Sequence, residues 1–296
     1  MSFHRLTSIA LFVTPPLMWT GNVIVARFIR SDIPPMSLAF LRWLIACAVL
    51  LPFVWPAVHR QLPLFRANFP LVFGTALTGV AAFNSLLYTG LQSTGSTNAL
   101  LLNSCAPVLI MLFAALMARQ RLNAFQSAGL LVSLAGVSAI ILQGSWQNLL
   151  ALRFNQGDLW VFGAVLCWVF YTLWMRRIPA EIDRISLTAV QIALGMPLLL
   201  LPMLWELDGG VQIRWNMHSV LALAYVGLFP SVLAYLCYNA AISRFGSVRA
   251  GMSIHLMPVF GSILAVTLLG EAFRFYHLAG IAAIFAGIYL SNRKAV

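Results

Sequence analysis

The sequence predicts an all-α membrane protein of ten transmembrane helices, arranged as two inverted five-helix repeats around a central cavity. Three observations lead there. Of its 296 residues, 61% are hydrophobic and only 8% charged, whereas soluble domains carry about 25% charged residues. Ten apolar runs of spanning length follow one another along the chain. The chain also matches itself at an offset near 150 residues. This composition excludes a water-soluble globule, a disordered chain and a coiled coil.

The runs lie near 7–27, 35–57, 69–90, 96–117, 124–143, 157–178, 185–207, 217–241, 246–269 and 275–292. Between them stand residues that break helices or favour loops: Pro34-Pro35, Pro63, Gly95, Arg119 to Arg121, Gly144, Pro179, Gly209-Gly210 and Gly246. A span takes roughly 20 residues, so ten take about 200 and leave about 96 for termini and connections. Connections that short hold no soluble domain. The first run continues past Trp19 and Asn22 without a small-x-small cleavage site, and so reads as a span rather than a cleaved signal peptide.

Lys and Arg number 18 against 7 Asp and Glu, a formal charge of +11. No basic block is continuous, so the excess points to topology and not to nucleic acid. One alternate set of loops holds Arg5, Arg60, Arg66, Arg119, Arg121, Arg176, Arg177, Arg184, Arg244, Arg249, Arg293 and Lys294. The other holds Arg27, Arg30, Arg153, Arg214 and Arg274. Twelve against five puts both termini in the cytoplasm, as an even number of spans requires. Cys47, Cys105, Cys167 and Cys237 fall inside apolar runs with no CxxC pattern. They read as small core residues, and no disulfide framework, metal or cofactor is expected.

The internal repeat says most about architecture. At an offset of 149, Trp19 falls on Trp168 and Ser37 on Ser186. At 150, Pro52 meets Pro202, Trp55 meets Trp205 and Tyr88 meets Tyr238. At 151, Gly95-Ser96 meets Gly246-Ser247, Pro107 meets Pro258, Gly129 meets Gly280 and Gly136 meets Gly287. Matched Trp, Pro and Gly are far harder to obtain by chance than matched Leu or Ala. The expected units are residues 1–146 and 147–296. Five spans per unit is an odd number, so the second unit starts on the opposite side and the halves are inverted. Many secondary transporters alternate access around a midplane site in this way.

Pro258 in the ninth run, Leu269-Gly270-Glu271 at its end, and Gly280 and Gly287 in the tenth form a pattern. It resembles the closing signature of the drug/metabolite transporter superfamily, in its ten-helix EamA-type branch. The first half carries a weaker copy with Pro107, Gly129 and Gly136, but with Gln120 in place of the Glu. The resemblance covers essentially the whole chain, Trp19 and Arg42 included. Within the branch it is most similar to bacterial exporters of aromatic amino acids. That likeness implies a bacterial inner-membrane protein embedded in the lipid bilayer, with a small-molecule substrate, an amino acid foremost.

Charge inside a bilayer is costly, and Arg42 is the clear case. It lies seven residues past Pro35, about 10 Å down the helix, a depth that permits partial snorkelling. It reads either as a guanidinium partner for a substrate carboxylate or as a structural Arg bonded to helix-end carbonyls, the blander reading being the more frequent. Glu271, at a helix end, reads as an interfacial or capping residue. Polar and aromatic residues that share helix faces complete the candidate cavity lining: Trp19, Asn22, Asn84, Tyr88, Asn103, Trp168, Tyr171, Tyr235, Tyr238, Ser253 and His255. Interhelical hydrogen bonding is the competing role for each, and a lone histidine such as His255 is more often a bonded core residue. Trp43, Trp55, Trp146, Trp205 and Trp215 fit interfacial belts or packing. Pro107 and Pro258 are the expected hinges, with Pro15-Pro16 a further bend.

No phosphate loop, HExxH or GxSxG pattern occurs, so the chain itself gives no support for ATP-driven transport. An intramembrane lipid-modifying enzyme needs clustered ionisable groups at one depth, and the spans hold no central carboxylate. A channel does not require the inverted duplication. The expected function is secondary export of small metabolites by alternating access without proton coupling; a proton-coupled exporter of other drugs or metabolites is the alternative.

Overall fold

The computed structural model describes residues 3–94, 96–118, 124–269 and 272–291. Glu271 and Gln120, singled out above, lie outside the described residues. Among the described residues all regular structure is helical. Eight helices are long and apolar enough to cross a membrane: α1 (Leu6–Ala26), α2 (Pro35–Arg60), α3 (Phe69–Ser93), α4 (Asn98–Met117), α5 (Ala124–Ile141), α6 (Gln156–Met175), α7 (Arg184–Asp208) and α8 (Met217–Phe245). Two further apolar segments follow, α9 over 247–269 and α10 (Phe275–Ser291). Their outward faces stay apolar, with Phe53, Leu116, Leu131, Leu201 and Tyr289 exposed. Continuous apolar surface on this scale suits lipid and not water.

Local chemistry interrupts four of these elements. α4 breaks at Cys105, and α9 passes from Ser247–Met252 through a 3-10 turn, Ser253–Leu256, before resuming as Met257–Leu269. Pro107 and Pro258 are each the second residue of the resumed helix. A first-turn proline gives up no helical hydrogen bond, whereas one in mid-helix does. The expected hinges therefore sit at joints. Pro15 and Pro16, by contrast, lie within the unbroken helix Phe3–Phe28. α3 and α8 each contain a π-helical stretch, Ala76–Ala82 and Phe229–Leu233, which leaves carbonyls for side chains to bond.

Close backbone contact joins α5 to α10. A Cβ on Gly129 would lie 2.4 Å from the Gly287 carbonyl oxygen, and one on Gly136 would lie 2.6 Å from that of Gly280. As one helix advances the other recedes, so the pair is antiparallel, and only glycine permits the approach. α2 and α7 are antiparallel too. At one end the Glu206 carboxylate accepts from the backbone N–H groups of Met36 and Ser37 at 3.0 and 2.8 Å. It thereby caps an α2 terminus whose own N-cap is Pro34. At the other end the Gln61 side chain accepts from the Asp183 backbone N–H at 3.1 Å and donates to the Glu181 carbonyl at 3.3 Å.

Candidate functional site

A cavity of about 250 Å³ runs inward from the facing ends of α1, α2 and α3, where Arg30, Pro35, Gln92 and Thr94 form its mouth. Its floor is polar on one side and aromatic on the other.

Arg42 makes the polar side. Its side chain is 2% exposed and turns inward, so the expected snorkelling and the expected bonding to helix-end carbonyls are both replaced by side-chain contacts. Nε donates to Ser231 Oγ at 2.8 Å. Nη1 donates to the Tyr88 hydroxyl at 2.6 Å and approaches the Asn84 and Asn22 amide oxygens at 3.3 and 3.4 Å. Four spans thus converge on one guanidinium. Holding a lone Arg in a membrane costs about 3 kcal/mol on insertion scales, while a hydrogen bond to a charged group contributes about 1.5–3 kcal/mol. Two or three such bonds offset the cost. All four partners are neutral, and no carboxylate pairs with Arg42 among the described residues.

The π-helical stretches brace this arrangement. Asn84 Nδ2 donates to the Val80 carbonyl at 2.8 Å, and the Tyr235 hydroxyl donates to that of Gly79 at 2.7 Å. The Ser231 hydroxyl donates to the Val226 carbonyl at 2.7 Å, and the Trp19 indole N–H donates to the Pro230 carbonyl at 3.2 Å. Bonding groups left over by the wider helices thus fix the residues around Arg42.

Trp168 makes the aromatic side. Its ring centroid lies 5.0 Å from Trp19 and Phe83, 5.1 Å from Tyr171 and Tyr238, and 5.6 Å from Tyr235. Edge-to-face geometry dominates the Trp19 contacts, the arrangement ring quadrupoles favour. Behind Trp168 the Tyr171 hydroxyl donates to Asn239 Oδ1 at 2.6 Å, Asn239 Nδ2 donates to Thr188 Oγ1 at 3.1 Å, and Tyr238 meets Thr172 at 3.2 Å. Gly79 makes room for this layer, because a Cβ there would lie 2.3 Å from the Tyr171 ring.

Of the residues expected to line a cavity, Trp19, Asn22, Arg42, Asn84, Tyr88, Asn103, Trp168 and Tyr235 do so, as does Pro258. Tyr171 and Tyr238 belong to the layer behind Trp168. Ser253 and His255 are buried and do not belong to the lining. Ser253 donates to the Ala250 carbonyl at 2.8 Å. His255 Nε2 bonds the Ser104 carbonyl at 2.9 Å and Nδ1 meets Ser133 Oγ at 2.7 Å. A carbonyl only accepts, so Nε2 carries the proton and Nδ1 accepts from the serine. Pro107 is likewise outside the lining. Trp43 takes the packing role of the two expected for it: it is fully buried, with its ring 4.9 Å from Tyr235. Sequence reading missed Phe83, Leu87 and Met257, which are apolar among apolar neighbours, and Arg30, which had been counted only as a topological charge. Of the two π stretches, Phe229–Leu233 contains Pro230, which lacks an N–H, while Ala76–Ala82 carries no comparable residue.

The EamA-like transporter family matches residues 6–142 and again 155–293. The chain belongs to this family. It is a multi-pass membrane protein with a transporter role. An uncharacterized transporter of Archaeoglobus fulgidus is 27% identical over 94% of this chain and 94% of its own length. A probable terminal-alkyne amino-acid exporter of Streptantibioticus cattleyicolor is 25% identical over 77% of this chain and 75% of its own. A solved crystal structure shares the fold at a TM-score of 0.76, covering 96% of this chain and 97% of that one at 22% identity.

Proposed function

We propose that this family member is a secondary transporter of small metabolites bearing a carboxylate on an aromatic or apolar body, amino acids of that kind foremost. One observation carries the reading. Arg42 is a buried cation without a counter-ion among the described residues, set in the floor of a cavity whose opposite wall is aromatic. Guanidinium matches carboxylate geometry, and the Trp19, Trp168 and Tyr235 rings suit an apolar body. The exporter of amino acids among the relatives supports the same class.

The carrier has ten spans in two inverted halves, 1–146 and 147–296, and alternates access across a bacterial inner membrane. Several pairs support the duplication. The family matches twice, the π stretches fall in α3 and α8, and the joints fall before Pro107 and Pro258. Gly129 and Gly136, equivalent by repeat to Gly280 and Gly287, contact them crosswise, as a two-fold axis between α5 and α10 requires. With both termini cytoplasmic, the mouth at Arg30 and Thr94 opens outward. Transport runs down the substrate's own gradient, a reading supported by the lack of any carboxylate or histidine among the described cavity-lining residues. Counterflow in proteoliposomes tests this: trans substrate accelerates uptake of labelled phenylalanine by a carrier, and a pore or enzyme gives no such acceleration.

A further inference from the structure

We propose that this cavity reads the carboxylate and ignores the amine, and therefore takes aromatic monocarboxylates that lack an amino group at least as well as the matching amino acids. The inference rests on the carrier reading above and narrows its cargo.

The floor offers donors. Arg42 spends Nε and Nη1 on the protein, but Nη2 has no partner among the described residues. Asn22 accepts from Arg42 through Oδ1, and its Nδ2 is likewise unspent. The Tyr88 hydroxyl accepts from Arg42 at 2.6 Å, and its own proton has no acceptor among the described residues. All three residues line the cavity. Of the neighbouring acceptors, the Asn84 amide oxygen faces the Arg42 guanidinium at 3.3 Å, and Ser231 accepts from Arg42 while it donates to Val226. Three unspent donors around one cation suit an acceptor-only group, which an ionised carboxylate is.

The amine finds no anionic counterpart among the described lining residues. Apart from tyrosines, the ionisable side chains lining the cavity are Arg30 and Arg42, both cationic. The carboxylates of the described residues, Asp32, Asp158, Glu181, Asp183, Glu206 and Asp208, all lie outside the lining. Asp158 touches the mouth through Thr94, but its oxygens already accept from the Thr94 hydroxyl, the Asn98 amide and the Asn155 backbone N–H. A zwitterion would leave the Arg42 charge unbalanced and bring a second cation close to it. A simple carboxylate neutralises it.

Calorimetric titration of the purified full chain in detergent at neutral pH separates the charges, using phenylpropionate, phenylalanine and phenethylamine. These share a ring and a two-carbon chain and differ in the groups they carry. Phenylpropionate is expected to bind as tightly as phenylalanine or more so, with phenethylamine at least about tenfold weaker. Tyr88→Phe, which keeps the ring and removes one donor, is expected to weaken both carboxylates about tenfold and leave phenethylamine unchanged. Phenylalanine binding ten times tighter than phenylpropionate overturns the proposal, as does phenethylamine matching either, or a Tyr88→Phe variant with wild-type affinity for both carboxylates. Each of those results leaves the carrier reading standing. Absence of binding by all three also overturns the proposal, and counterflow then decides the carrier reading separately.

Discussion

Arg42 and Tyr88 meet at 2.6 Å, with the guanidinium donating to the phenol oxygen. They come from α2 and α3, and the contact is buried at the floor of the cavity. It fixes a cation in place without neutralising it, which is what a site for an anionic group requires before that group arrives.

The neutral acceptors around Arg42 carry its desolvation. Ser231→Ala removes the acceptor of Nε and leaves a charged N–H unpaired. Loss of about 1–3 kcal/mol is expected, read as a lower midpoint of thermal unfolding in detergent. An unchanged midpoint would mean that water or lipid replaces the serine at no cost.

Glycine is required where α5 meets α10. Gly287→Ala sets a Cβ 2.4 Å from the Gly129 carbonyl and 2.6 Å from the Ser133 backbone nitrogen, so the helices must separate. Destabilisation of about 1–3 kcal/mol follows from overpacking. Gly163→Ala is the control, since its nearest neighbour, Leu86 Cδ1, is 3.5 Å away. It is expected to leave the unfolding midpoint in place.

The repeat caps equivalent helices differently. Asp183 caps α7 locally, accepting from the Ser186 N–H at 2.8 Å and hydroxyl at 2.7 Å. The matching position before α2 is Pro34, and Glu206 reaches across from α7 instead, accepting from Ser37 at 2.8 and 2.9 Å. Glu206→Ala and Asp183→Ala are each expected to cost about 1 kcal/mol. Glu206→Ala also releases α2 from α7, and faster hydrogen exchange at Met36 and Ser37 is the readout particular to it.

His255 bridges α4, α5 and α9 as a neutral core residue. His255→Ala is expected to lower thermal stability while leaving transport indifferent to an imposed pH gradient, as in the wild type. Uphill accumulation in wild-type vesicles that collapses with an ionophore, and disappears in the variant, would make the histidine a proton site.

The spans were legible because hydropathy and the loop residues vary along the chain on the scale of a bilayer. The proposed repeat rests in the sequence on matched Trp, Pro and Gly, and the family model matches the chain twice. The Arg42 network was only half legible: the arginine stood out by its cost, but Asn22, Asn84, Tyr88 and Ser231 come from three other helices whose rotation no local pattern fixes. The π stretch Ala76–Ala82 packs Gly79 against Tyr171, a contact no local pattern announces, whereas Phe229–Leu233 has Pro230 in it. His255 looked like a cavity residue because its partners, Ser104 and Ser133, are remote in sequence.

The most direct test of the account is counterflow of labelled phenylalanine in proteoliposomes holding wild type or Arg42→Gln, with folding of both checked by thermal unfolding. Glutamine keeps hydrogen-bonding capacity and removes the charge. The account predicts trans-accelerated uptake in the wild type and, in a folded Arg42→Gln variant, a KM raised about tenfold or more. Equal uptake by the two proteins would contradict it.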